Sequence, residues 1–236
     1  MSIHNTFTGA QYVAEITRIA LKLGISLHVG SDFRSYCKII EKHRGEQPVS
    51  APFDPQKQPV NQSNGFWIAG WNASGELVHS QAMRRFDLPG TLADFLQDGF
   101  RQFPPSGLPL DLEKSRYLPG PGARGIRGSA CYHGEAWLKP GDGSYRGTGL
   151  AGALARFALA NAAMRWSPDF VFGFMPERHA FRGLVEREGY MHSDPGAMYW
   201  HLKNSPEILR GYMVWMGAED IEHMMSMPPE GLIVKH

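Results

Sequence analysis

Ser129-Ala-Cys-Tyr-His-Gly-Glu-Ala-Trp-Leu138, then Lys139-Pro-Gly-Asp-Gly-Ser-Tyr-Arg-Gly-Thr-Gly149, then Leu150-Ala-Gly-Ala-Leu-Ala-Arg-Phe-Ala158 is the stretch that decides the fold. Gly128 to Leu138 reads as a strand. The glycines after Pro140 make a turn. Leu150, Leu154, Phe157 and Ala158 share one face of a helix that runs to about Trp166. A short apolar strand, Asp169 to Phe174, comes next. Strand, helix and strand in that order predict a parallel crossover unit.

Working outward, Tyr12, Val13, Ile16, Ile19, Ala20 and Leu23 recur at helical spacing, and Gly24 stops that helix. Ile25 to Val29 alternates like a strand. Ser31 or Asp32 caps a helix to about His43. Residues 45–65, rich in Pro, Gln and Asn, read as a loop. Phe66 to Trp71 and Leu77 to Phe86 form a hairpin around Asn72-Ala-Ser-Gly-Glu76. Thr91 caps a helix with Leu92, Phe95, Leu96 and Phe100 on one side. Residues 103–127 read as a second loop, rich in Pro and Gly. Pro176 opens a helix with Ala180, Phe181, Leu184 and Val185 inward, and Gly189 ends it. Tyr190 to Ser193 and Met198 to Leu202 read as two strands around an Asp194-Pro-Gly turn. Ser205-Pro206-Glu207 reads as a last helix start. The pattern is α+β: one mixed sheet with helices on both faces.

The chain has 236 residues, of which 42% are hydrophobic and 20% charged, as in a folded globular protein. Lys plus Arg is 24 against 23 Asp plus Glu, so no nucleic-acid partner is expected. Cys37 and Cys131 cannot make a disulfide framework and fit a reducing compartment. The start carries no pattern of a secretory signal, and no stretch reads as a membrane span. A cytoplasmic protein is expected. One domain, residues 1–236, is expected, with a core over 25–203 and helical extensions over 1–24 and 204–236.

Glycines between a strand and a helix leave backbone N–H groups open. The first helical turn has donors without intrahelical partners, and the helix dipole adds positive charge there. A phosphate group is the natural guest. The P-loop and Rossmann spacings do not fit. Arg146-Gly-Thr-Gly149-Leu-Ala151 does fit (Arg or Gln)-x-x-Gly-x-(Gly or Ala), and the segment resembles the coenzyme A loop of the GNAT acetyltransferase superfamily. Leu184-Val-Glu-Arg-Glu-Gly189-Tyr190 is similar to that superfamily's usual helix ending.

The resemblance implies a mixed, mostly antiparallel sheet with a splayed strand pair. It implies acetyl-coenzyme A, or another acyl-coenzyme A, as co-substrate, with no metal. The amides of Gly147, Thr148, Gly149, Leu150 and Ala151, with Arg146 beside them, would hold its diphosphate. Trp137, Leu138 and Lys139 would pair strand-like with its pantetheine arm. A primary amine on a small molecule or peptide would attack the thioester directly. Two departures stand out. The loop is longer than the usual Pro-x-x-Arg, and the position that often holds a general-acid Tyr is Val185.

Strand alternation puts Cys131, His133, Glu135 and Trp137 on one face. Glu135 is the first candidate base, since burial raises a carboxyl's pKa. The bland alternative is an ion-paired Glu. His133 is the second candidate, against a structural imidazole. Cys131 reads as a buried thiol. Tyr190 and Tyr145 are candidate proton donors, or packing residues. Arg124, Arg127 and Lys139 are candidates for a 3′-phosphate contact, against solvated surface charge. Phe66, Trp67 and Trp71 line an acceptor side or fill the core. Monomer and homodimer both stay open. Competing readings are a non-catalytic acyl-coenzyme A module, an acyl-homoserine-lactone-type synthase and a loop for another nucleotide.

Overall fold

A computed structural model describes residues 3–45, 47–141, 145 and 147–233. In chain order the elements are α1 (Ile3–Lys22), β1 (Ile25–Gly30), α2 (Phe33–Arg44), β2 (Gly65–Asn72), β3 (Leu77–Leu88) and α3 (Leu92–Gly99). Then come β4 (Leu110–Tyr117), α4 (Pro121–Gly125), β5 (Gly128–Leu138), α5 (Leu150–Trp166) and β6 (Phe170–Pro176). The chain finishes with α6 (Glu177–Ala180), α7 (Leu184–Glu188), β7 (His192–Leu202), β8 (Ile208–Gly217) and α8 (Ala218–Ser226).

The eight strands form one sheet in the order β1-β2-β3-β5-β6-β8-β7-β4. Among the described strands only β5 and β6 run parallel, joined by the α5 crossover as the sequence predicts. Every other neighbouring pair is antiparallel. One face carries α2, α3 and α4 over a core built on Phe33, Tyr36, Phe53, Leu96, Tyr132 and Phe172. The other carries α5 and its covering elements over Phe66, Met83, Cys131, Phe157, Val171 and Met216. Phe66 fills that second core. Trp67 stacks on Tyr36 and Trp71 meets His43 edge-on, so these aromatics serve packing.

Local signals explain most boundaries. Asp32 caps α2 through the Arg34 amide, and Thr91 closes a reciprocal capping box with Asp94. Helix α5 is buried on every side, not along the one stripe expected. Its outer side is covered by α1 and α8, whose Tyr12, Ile16, Ile221 and Met224 join the same core.

Several expectations are corrected. Residues 103–127 hold a strand and a short helix. β4 is an edge strand with a charged, weakly buried pattern, so it carries no apolar signature. The helix expected from Pro176 to Gly189 is broken into α6 and α7 by Gly183 in the left-handed region at φ +72. Phe181 falls in that break and is 73% exposed rather than inward. The two strands expected around Asp194 are one, β7, with an irregularity between Asp194 and Met198. The helix expected after Ser205 is β8, which inserts between β6 and β7.

Candidate active site

Strands β5 and β6 pair only from Ala130↔Phe170 to His133↔Gly173. Beyond that rung β6 continues beside β8 to Pro176, and β5 continues beside β3 to Leu138. The two strands therefore part at His133, and α5 begins beyond the open end.

A bulge sits at the parting. Ser80 pairs with Trp137 and Ala82 with Gly134, so Glu135 and Ala136 together stand opposite Gln81. Glu135 adopts the left-handed region at φ 60, unusual for a residue with a side chain. The extra residue reverses the alternation. Cys131 and His133 face α5, while Glu135 faces α2, so the shared face read from the sequence does not exist.

On the α2 side the Glu135 carboxylate accepts from Arg44 Nη1 at 2.6 Å and from the Ser50 amide at 2.8 Å. The ion pair is buried, with side-chain exposures of 5% for Arg44 and 2% for Glu135. Arg44 also reaches Ser80 Oγ and lies over the Trp137 ring. Both carboxylate oxygens are thus engaged, and the end of α2 and the loop after it are tied to the bulge.

On the α5 side His133 Nε2 lies 2.9 Å from Gln81 Oε1, and Nδ1 lies 2.8 Å from Tyr190 Oη. The Gln81 amide nitrogen donates to the Leu154 carbonyl, so its oxygen must accept. The proton of the neutral imidazole therefore sits on Nε2, and Tyr190 donates to Nδ1. Burial pushes the His133 pKa down to about 4, keeping the ring neutral, and holds the Tyr190 hydroxyl well above its usual value. A Cβ on Gly173 would lie 3.3 Å from the Tyr190 oxygen, so the hydroxyl stands at the parting itself. The sequence named Tyr190 only among several donors. Its pairing with His133 comes from β5 and the α7–β7 junction meeting across β6.

The turn into α5 holds the glycine pattern. Arg146 lies outside the described residues. Gly147 has φ +80 and, among the described residues, open space where a Cβ would be. Thr148 Oγ1 bonds the Tyr145 carbonyl and receives the Leu150 amide at 3.3 Å. Gly149 has φ +81 and caps α5, but its missing Cβ leaves room for the Leu232 carbonyl of the C-terminal segment. Behind the loop Leu150 is fully buried and Ala151 partly exposed. Tyr145 packs on the cluster of Leu150, Leu154 and Val78, on the role of a packing residue. Lys139 pairs with Glu76 at 3.0 Å. Arg124 and Arg127 precede β5, whose 11 residues separate them from this turn by roughly 30 Å. They cannot join Lys139 there.

Arg156 anchors the neighbouring helix. It is buried and gives its guanidinium to the carbonyls of Glu186 and Arg187 at the end of α7. Val185 on α7 is buried in the core and offers no hydroxyl. Burial pushes the Cys131 thiol far up, so it is inert. Among the described residues no group of three or more His, Cys, Asp or Glu is placed to hold a metal, and no helix is long and apolar enough to cross a membrane.

A single parallel pair that parts at a bulge, a glycine turn opening the crossover helix, and an antiparallel remainder make a recognisable architecture. This is the arrangement that the resemblance to the GNAT acetyltransferases implies, a mixed, mostly antiparallel sheet with one splayed strand pair. Among solved structures the chain is similar to Arabidopsis thaliana NAA60 in complex with acetyl-CoA, with 13% sequence identity, 82% of this chain and 98% of that chain covered, and a TM-score of 0.47. It is similar to a mutant form of the spermidine/spermine N-acetyltransferase SpeG from Vibrio cholerae, at 8% identity, 85% and 97% coverage and a TM-score of 0.45. It is also similar to an acyl-CoA N-acyltransferase from Pseudomonas aeruginosa, at 14% identity, 82% and 99% coverage and a TM-score of 0.43. No protein-family profile and no curated protein sequence matches the chain.

Proposed function

We propose that this protein is an acyl-coenzyme A dependent N-acyltransferase acting on a primary amine of a small molecule or peptide. The observation that carries the reading is the parting of β5 from β6 after His133↔Gly173, with the α5 glycine turn at its open end. A slot between strands accepts an extended, amide-bearing arm by backbone pairing. The Lys139 amide already bonds Val78, so backbone alternation leaves the N–H and C=O of Leu138, between Trp137 and Lys139, on the open edge.

The residues present fit the co-substrate. Gly147 has open space beside it among the described residues, so a diphosphate can approach its amide, while the Thr148 and Leu150 amides make long bonds of 3.4 and 3.3 Å to the Tyr145 carbonyl and Thr148 Oγ1, which a diphosphate would have to replace. Arg146, at the matching motif position, is assigned to the same loop on sequence alone. Acyl-coenzyme A supplies an acyl group activated as a thioester. The chain's part is to orient it and to manage protons near it. Tyr190 Oη, protonated and held by His133 Nδ1, is the proton-handling group at the parting. Glu135 is assigned to holding the bulge, because its charge is already committed to Arg44 and Ser50. The reading places a neutral His133 behind the Tyr190 hydroxyl rather than as the base itself.

Thiol release from acetyl-coenzyme A, followed with a panel of amines, tests the reading. Release that rises with an added amine supports it. Saturable coenzyme A binding without acceptor-dependent release favours a non-catalytic acyl-coenzyme A module, to which the hydroxyl-free Val185 position also points. Absence of coenzyme A binding removes both.

A further inference from the structure

An open cleft of about 590 Å³ lies on the α2 side of the sheet, walled by Ala51, Lys57, Gln58, Arg84, Phe86, Phe95 and their neighbours. Arg84 comes from β3 and is only 5% exposed. Its Nη1 donates to the Pro52 carbonyl at 2.7 Å and to Gln58 Oε1 at 2.6 Å, and its Nη2 makes a long 3.4 Å contact with the Pro59 carbonyl. These partners are neutral. The nearby carboxylates are spoken for: Asp54 pairs with Lys57, Asp87 with Arg85, and Glu135 with Arg44. Among the described residues no carboxylate pairs with Arg84.

A guanidinium has five N–H donors in a planar fork. Nη1 is fully used. Nε is buried with no hydrogen-bond partner, and Nη2 keeps a donor beyond Pro59. The edge left over is the Nε–Nη2 side, one of the two edges that match a carboxylate. Burial pulls the group down to about 10, and no carboxylate among the described residues offsets it. Phe86 lies under the guanidinium at 4.6 Å, and Phe95 meets Phe86 at 5.2 Å between ring centroids. Lys57 stands at the rim, its ammonium shared with Asp54 at 3.0 Å, and keeps donors beyond that pair.

We infer that this cleft binds a small organic carboxylate, with its anionic oxygens toward Arg84 and Lys57 and its apolar body against Phe86 and Phe95. A buried cation without an anion is stabilised by any ligand that brings one, and a neutral analogue lacks that gain. The site goes beyond acyl transfer and is read by binding alone, so its failure leaves the acyltransferase reading untouched.

Calorimetry on the full chain with phenylacetate, phenylacetamide and inorganic phosphate tests it. Phenylacetate is expected to bind at one site at least tenfold tighter than phenylacetamide. Arg84→Gln is expected to abolish that preference, and Arg84→Lys to retain part of it. Equal affinities for acid and amide, phosphate binding tighter than phenylacetate, or no saturable binding each overturn the inference. Should either Arg84 variant fail to melt cooperatively, labelling of the unmodified protein with acetic anhydride replaces it. Phenylacetate is expected to slow modification of Lys57 at least threefold relative to exposed Lys114, and unchanged relative rates overturn the assignment.

Discussion

Tyr190 Oη lies 2.8 Å from His133 Nδ1, at the last rung that joins β5 to β6. The Gln81 oxygen fixes the imidazole proton on Nε2, so the hydroxyl is the donor in this pair. Tyr190→Phe removes the donor and leaves a buried ring nitrogen unsatisfied, which costs about 1–3 kcal/mol of stability. Acceptor-dependent turnover is expected to fall, on the order of tenfold to a hundredfold, while coenzyme A affinity holds. Steady-state kinetics beside calorimetry separates the two. Full turnover in this variant takes the pair out of proton handling.

The bulge gives a second prediction. Glu135→Gln leaves Arg44 buried without a counter-charge, and a loss of about 3–5 kcal/mol is expected. Adding Arg44→Met should recover part of it, so the double variant loses less than the sum of the single ones. Urea unfolding of the four proteins measures this coupling. A Glu135→Gln protein of unchanged stability that no longer turns over would return Glu135 to the role of base.

Gly147 and Gly149 should respond differently to alanine. Both sit in the left-handed region, where a side chain costs roughly 1–2 kcal/mol. At Gly147 the space is open, so Gly147→Ala should be mainly a coenzyme A binding defect. At Gly149 the new Cβ would meet the Leu232 carbonyl, so Gly149→Ala should show the larger drop in melting temperature. Removing residues 229–236 is expected to relieve that difference. Equal melting temperatures for the two full-length variants would show that the C-terminal segment does not press on Gly149.

Acid stability carries opposing contributions. His133 and His79 are held down to about 4 and about 3, against an ordinary 6.5, by burial. Between about pH 4 and 6.5 the unfolded chain binds more protons at these sites, so their contribution makes stability rise with pH. Glu188 is pushed up from 4.5 to about 7, first by burial and against the pull of Arg156. It keeps its proton in the folded state, and its contribution is present below pH 4.5 and lost as pH rises through about 7. From pH 4.5 to 6.5 the two histidines outweigh the one carboxyl, and a shallow rise of stability with pH is expected. Glu188→Gln should steepen it, as read by urea midpoints across that range. An unaltered slope would mean Glu188 is charged in the fold.

Elements with a buried stripe and a cap were legible. Asp32 and Thr91 start helices where the sequence puts them, and the α5 crossover follows from its glycine turn. β4 was hidden because an edge strand with Glu113, Lys114 and Arg116 outward has no apolar alternation to read. β8 was hidden because Ser205-Pro206-Glu207 imitates a helix start, whereas these residues only turn the chain from β7 into β8. The bulge escaped for a deeper reason. A period-two pattern assumes one residue per step, and the inserted residue at Glu135 is stabilised by Arg44 and Ser50, far away in sequence. The pair of His133 with Tyr190 was likewise set by tertiary meeting across β6, which no local spacing encodes.

The strand order has a consequence for how the molecule is made. β8 is interior to the sheet, yet it follows the other seven described strands in sequence and leaves the ribosome after them. Until residue 217 has emerged, the backbone edges of β6 and β7 that β8 pairs in the finished sheet lack their partner. A nascent chain stalled before that point presents a half-finished sheet with an unpaired interior edge, which marks the passage of β8 as the interval when a chaperone matters most to this protein.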